Sequence, residues 1–168
     1  PKDTRALIDI ADKYKTDLSI IKSVVKSNNQ RKITLTKRID KILNNKLKNK
    51  NITFLGVTFK PNTDDMREAS SLFMIPYLIK RGAKIRYFDP SGHKKEFEKL
   101  KNTTFCKDIS AACLKSDLII IHTEWNEFKL LNFKKIVKKN KFAVFDMRNI
   151  YNPSKMKVNG IKYFGIGR

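Results

Sequence analysis

The chain has 168 residues, 40% of them apolar, which is enough for one full hydrophobic core or for one domain with an appendage. Its 37 Lys and Arg against 16 Asp and Glu give a formal net charge of +21. The excess is mostly lysine and is spread over every segment rather than concentrated with stacking aromatics, so it argues against specific nucleic-acid recognition and for a general attraction of anions. No apolar run is long enough to span a membrane, and the opening Pro1-Lys2-Asp3-Thr4-Arg5 does not read as a signal peptide, so a cytoplasmic location is expected. Cys106 and Cys113 are isolated, without CxxC spacing, which predicts two reduced, half-buried thiols and no metal site.

In chain order, residues 4–14 predict a helix with Asp3 as N-cap and Leu7, Ile10, Ala11 and Tyr14 on one face. A break comes at Lys15-Thr16-Asp17, and Asp17 can cap a second helix. That helix carries Ile21, Val25, Asn28, Ile33, Leu35, Ile39 and Ile42 near three-four spacing to about Leu47. A stripe of this length suits a helix that links two domains or packs on a partner subunit. A helix lying on its own domain stays open.

From Asn51 the pattern changes. Strands are expected at 52–58, 83–88, 103–106, 117–122, 142–146 and 161–166. Helices are expected between them near 70–81, 93–100, 109–115, 127–131 and 133–138, with a brief one after Asn152-Pro153. Gly82 stands where a helix C-terminal cap belongs, and Ser70 and Ser71 are placed to cap the start of that helix. Alternation with tight connections predicts an α/β fold, a doubly wound, mostly parallel, Rossmann-like sheet preceded by a long helical segment. The domains are read as 1–50, helical, and 51–168, α/β.

The segment with the most chemistry lies just past the first strand: Gly56-Val-Thr-Phe-Lys-Pro-Asn-Thr-Asp-Asp-Met-Arg-Glu68. In an open parallel sheet, ligands bind at the carboxyl ends of the strands. Lys60 and Arg67 suit phosphate there, although the same charges would also serve an ordinary solvated loop. The loop lacks the G-x-G-x-x-G of a dinucleotide cradle, because Phe59, Lys60 and Pro61 fill the space those glycines leave open. Arg148 comes after a strand and falls at the same edge. Arg67 could alternatively pair with Asp64, Asp65 or Glu68. His122 reads as structural, and Glu124 and Trp125 as loop-shaping.

This loop, with Ala69 after it, resembles the signature loop of the UDP-glucose/GDP-mannose dehydrogenases, nearest to the bacterial branch acting on UDP-glucose. His122-Thr-Glu-Trp-Asn-Glu-Phe128, Phe145-Asp-Met-Arg-Asn-Ile-Tyr151 and the closing Ile166-Gly167-Arg168 are similar to further blocks of that family. Ser70 departs from the proline of many bacterial relatives. Pro1-Lys2-Asp3-Thr4-Arg5-Ala6-Leu7 resembles the segment that begins at the proline of the family's Cys-Phe-Pro-Lys-Asp motif. The catalytic cysteine of that motif would then lie two positions before Pro1, with the nicotinamide domain upstream. Neither Cys106 nor Cys113 matches it.

The resemblance implies the C-terminal part of an NAD-dependent enzyme. That enzyme oxidises the C6 hydroxyl of a nucleotide sugar to a uronate in two hydride transfers through a cysteine thioester, in polysaccharide biosynthesis. It further implies that Asp3 serves the water or proton-transfer step. Phe59, Lys60 and Arg148 would contact the UDP-sugar, Lys2 and Arg67 would contact NAD, and no metal would be needed. The long helix would form a homodimer core, and this part alone would be inactive. A UDP-N-acetylmannosamine or GDP-mannose dehydrogenase, a non-catalytic sugar-nucleotide-binding module, and a non-specific nucleic-acid surface are the alternatives.

Overall fold

Three of the apolar runs expected as strands lie side by side at the centre of a six-stranded sheet. The computed structural model describes residues 2–167, the side chain of Lys2 excepted. The strands are β1 (Asn51–Leu55), β2 (Lys84–Phe88), β3 (Thr103–Phe105), β4 (Leu118–Ile121), β5 (Ala143–Asp146) and β6 (Lys162–Gly165). Their order is β3-β2-β1-β4-β5-β6 and every pairing is parallel. This is the doubly wound order, in which the strand order reverses between β1 and β4. β4 and β5 are buried along their whole length, as apolar runs covered on both faces must be.

The chain divides into two compact units between Arg38 and Ile39. The first holds α1 (Lys2–Lys13) and most of α2 (Ser19–Ile42). Asp17 accepts the Ser19 N–H at 3.0 Å and so starts α2 as expected. Asp3, in contrast, lies within the first turn of α1 rather than at its cap. α2 also stops five residues before Leu47. The backbone turns left-handed at Asn44, Asn45 and Asn49, with φ of 52, 58 and 61°, a conformation asparagine tolerates better than most residues.

The second unit therefore begins ahead of the first strand. Asn49 N–H donates to Gly82 O at 2.8 Å, Lys84 N–H donates to Lys50 O at 2.8 Å, and Tyr77 OH donates to Asp40 at 2.7 Å. Leu47, Ile39 and Ile42 are buried there. α3 (Ser71–Lys80) buries Met74, Ile75 and Leu78 and ends at Gly82, whose φ of 84° no side chain favours. α4 (Ile109–Cys113) is capped by Asp108, α5 (Phe133–Val137) by Asn132 and α6 (Pro153–Val158) by Asn152. The helices expected at 93–100 and 127–131 are single 3₁₀ turns, Lys95–Phe97 and Asn126–Phe128. Both cysteines are free and buried, not half-buried, and burial pushes the Cys113 thiol up to about 12. No described helix is long and apolar enough to cross a membrane.

Candidate functional site

Because all six strands run the same way, their carboxyl ends share one edge. The segments after β1, β4 and β5 gather there beside the β1/β4 reversal. β1 ends at Leu55 because Gly56 turns with φ of 74°. A Cβ on Gly56 would stand 2.5 Å from Thr123 Cβ, so only glycine lets the first loop lie against the end of β4.

Residues 56–70 are fixed by side chains from neighbouring strands. Asp89, buried just past β2, accepts the Val57 N–H at 2.7 Å and the Thr58 N–H at 3.3 Å through Oδ2, and the Ser91 N–H at 3.0 Å through Oδ1. Ser71 Oγ donates to Val57 O and Thr123 Oγ1 donates to Thr58 O at 2.8 Å. Ser70 Oγ meets His122 Nε2 at 2.8 Å. Neither serine caps α3 through its side chain, contrary to expectation; both tie the loop to its surroundings. Within the loop, Phe59 N–H donates to Asp65 O at 3.0 Å, closing a tight excursion that presents Phe59, 41% exposed, and Lys60, also exposed.

Arg67 grips Asp65 through Nε and Nη2 at 2.8 to 3.2 Å, the pairing foreseen as its alternative role. Those bonds hold the Asp65 carboxyl down at about 2, while the Arg67 side chain stays 78% exposed. Arg148 comes just after β5, its N–H bound to Asp146 at 3.0 Å. Its Nε–H donates to His122 O at 2.7 Å, and Glu124 Oε2 stands 2.9 Å from the same nitrogen. One N–H cannot serve both well. The Glu124 contact is therefore electrostatic, and Oε2 is left without a hydrogen-bond donor. Nη1 and Nη2 of Arg148 have no acceptor among the described residues.

The sheet thus brings Phe59, Lys60, Arg67 and Arg148 to one edge. Asp3 is exposed in the first turn of α1, in the other unit, and Lys2 is on the same turn with its side chain outside the described residues. Asp89 and Thr123, which hold the loop, are not identifiable as doing so from the sequence. An Asp-Pro-Ser turn was visible, but its reach across to Val57 depends on the Leu55–Phe88 pairing. Two features of this crevice bear on whether it could hold a dinucleotide. Both oxygens of Asp89, at the strand end where an acidic residue would bind ribose, are consumed internally, and the loop carries Phe59, Lys60 and Pro61 in place of glycines. A dinucleotide does not fit in the usual way. No cluster of three or more metal-ligating side chains exists among the described residues.

Comparison with known proteins agrees with this geometry. Residues 53–153 match the family model described as the UDP-glucose/GDP-mannose dehydrogenase family, UDP binding domain. The chain is 38% identical over 171 residues to the UDP-glucose 6-dehydrogenase of Rickettsia felis and 36% identical over 174 residues to that of Bacillus subtilis. Essentially all of this chain is matched in both, but it spans about 38% of the length of these curated relatives. Among solved structures, a UDP-glucose dehydrogenase from Pyrobaculum islandicum superposes with a TM-score of 0.80 at 28% identity, over 98% of this chain and 36% of that one. An NDP-N-acetyl-D-galactosaminuronic acid dehydrogenase from Methanosarcina mazei shares the fold with a TM-score of 0.81 at 22% identity, over 99% of this chain and 37% of that one. The family match over residues 53–153, which hold the loop after β1 and the strand ends beside it, makes this chain a member of the UDP-glucose/GDP-mannose dehydrogenase family.

Proposed function

We propose that this chain is the sugar-nucleotide-binding part of an NAD-dependent UDP-glucose 6-dehydrogenase, in which UDP-glucose becomes UDP-glucuronate for polysaccharide synthesis. The observation that carries the reading is the convergence of Lys60 and Arg148 on one carboxyl edge beside the β1/β4 reversal. Arg148 is suited to a diphosphate, since its Nη groups form a planar fork, and Lys60 adds a mobile point charge. Phe59 offers an exposed ring face to the sugar or base. The names of the curated relatives support UDP-glucose as the substrate.

The remaining roles extend the same reading. Arg67, clamped by Asp65, presents a cation toward a cofactor held elsewhere, and Lys2 is the second residue assigned to that cofactor. Asp3, near the positive end of α1, acts on water or a proton in thioester hydrolysis. NAD itself would be bound by the rest of the enzyme, because the crevice of this sheet does not fit it. The nucleophilic thiol would also lie elsewhere: Cys106 and Cys113 are buried, and burial raises both thiols. Residues 1–50 would form the end of a central helical domain and residues 51–168 the UDP-binding domain. The exposed apolar positions of α2 would meet a second copy in a cytoplasmic homodimer. Alone, this part would not reduce NAD.

The test is NADH formation by a longer chain carrying this sequence together with the upstream family segments, offered UDP-glucose, UDP-N-acetylmannosamine and GDP-mannose. Turnover of UDP-glucose above the other two is expected. Preference for another sugar moves the substrate within the family, and no turnover with any of them supports a non-catalytic binding module.

A further inference from the structure

We propose that His122 and Thr123 are positioning residues: this dipeptide at the end of β4 locks both ends of the Phe59–Arg67 loop and Arg148 into one register. The inference rests on the reading of this edge as a sugar-nucleotide site.

The protons available fix the direction of each bond. Thr123 Oγ1 has one proton, and it goes to Thr58 O at 2.8 Å. The contact between Thr123 Oγ1 and His122 Nδ1 at 3.0 Å therefore needs the proton on Nδ1. A neutral imidazole then has a bare Nε2, which accepts the Ser70 hydroxyl at 2.8 Å. Burial, with the charge of Arg148 adding to it, lowers the His122 pKa to about 3, so the ring is neutral at ordinary pH.

Both hydroxyl protons and both ring nitrogens in this short chain of bonds are thereby used, and its two arms end at different places. Thr58 immediately precedes Phe59, and Ser70 immediately precedes α3. The loop between them is otherwise held by internal turn bonds and, at Val57 and Thr58, by Asp89 and Ser71. Arg148 joins the same dipeptide through the His122 carbonyl at 2.7 Å. Its side chain and the loop that carries Lys60 are thus referred to one two-residue anchor. A diphosphate reached from both sides needs that register, because a misplacement of an ångström weakens charge-assisted hydrogen bonds steeply.

A ring that merely fills space behind Phe54 would be replaced well by phenylalanine; a ring that relays hydrogen bonds would not. The test therefore compares His122→Phe, His122→Gln and Ser70→Ala in this chain. Gln can still offer an acceptor near the Nε2 position, and Ser70→Ala removes one arm from a half-buried site. The readouts are imidazole ¹⁵N shifts, hydrogen exchange at the Phe59 amide, and affinity for UDP. We expect a protonated Nδ1 and bare Nε2 in the parent chain. His122→Phe should speed Phe59 exchange and weaken UDP about tenfold, Ser70→Ala about threefold, with His122→Gln close to the parent. An Nε2–H tautomer, or exchange and affinity unchanged in both His122→Phe and Ser70→Ala, overturns the proposal. Should His122→Phe not fold, Ser70→Ala decides. If the parent does not bind UDP, the functional reading fails, while the ¹⁵N and exchange results still decide the positioning role.

Discussion

In the sheet unit, Phe54, Ile120, Phe128 and Phe145 are fully withdrawn from solvent, whereas in the helical unit Ile10, Tyr14 and Ile20 keep 55, 71 and 80% of their surface. Both regions show regular apolar spacing in the sequence, yet only one converts it into a core within this chain. Along α2 the change is gradual: Ile21 and Val25 are half-buried, and Ile39 and Ile42 are buried. The difference separates two uses of an apolar stripe. One stabilises a frame that fixes a site; the other, under the proposed assembly, waits for a second subunit.

The largest effect should come from the frame. Phe128→Ala removes a ring at 0% exposure and should cost about 3–5 kcal/mol in urea unfolding. A loss below about 1 kcal/mol would break the contrast with the helical unit. Gly56→Ala should come next at about 2–4 kcal/mol, from the positive φ and the 2.5 Å approach of Thr123. It should also disorder the amides of residues 57–67 in hydrogen exchange.

Acid should act on the same unit. The folded pKa of His122, about 3, lies below the ordinary 6.5, so between these values the unfolded chain binds the extra proton. Stability is then fully present above pH 6.5 and falls as pH drops, by at most about 1.4 kcal/mol per pH unit. Asp65 and Asp117, whose carboxyls are held below their usual range, lose their contributions only below about pH 4, so the His122 contribution is separable from theirs above that pH. Unfolding of His122→Gln between pH 4.5 and 6.5 should be flatter than that of the parent. The smallest stability effect is expected in the helical unit, where Ile20→Ser should change unfolding by less than about 0.5 kcal/mol. Sedimentation should instead show weaker self-association, and an unchanged association constant would remove Ile20 from the proposed subunit interface.

The sheet was legible in the sequence because its strands are continuous apolar runs broken by glycine, asparagine and proline, as at Leu118–Ile121 and Asn152-Pro153. The end of α2 was not, since Leu47 continues the stripe although the backbone has already turned at Asn44 and Asn45. Lys60 and Arg148 could be placed on one edge because each comes after an apolar run in an alternating pattern. The bonds of Asp89, Thr123, Ser70 and His122 could not be foreseen. They depend on which strands are neighbours, and β1 lies beside β4 rather than beside a strand close in sequence on that side. Arg67 shows the same limit within a single loop, where three acidic residues competed and only the folded turn selects Asp65.

The edge shared by Lys60 and Arg148 is proposed to hold the diphosphate of a sugar nucleotide. Isothermal titration of UDP-glucose into the chain, and into Lys60→Ala and Arg148→Ala with their folds verified by circular dichroism, tests it most directly. Saturable binding by the parent chain is expected, weakened about tenfold or more by each substitution. Binding that is equally strong in the parent and both variants would contradict it.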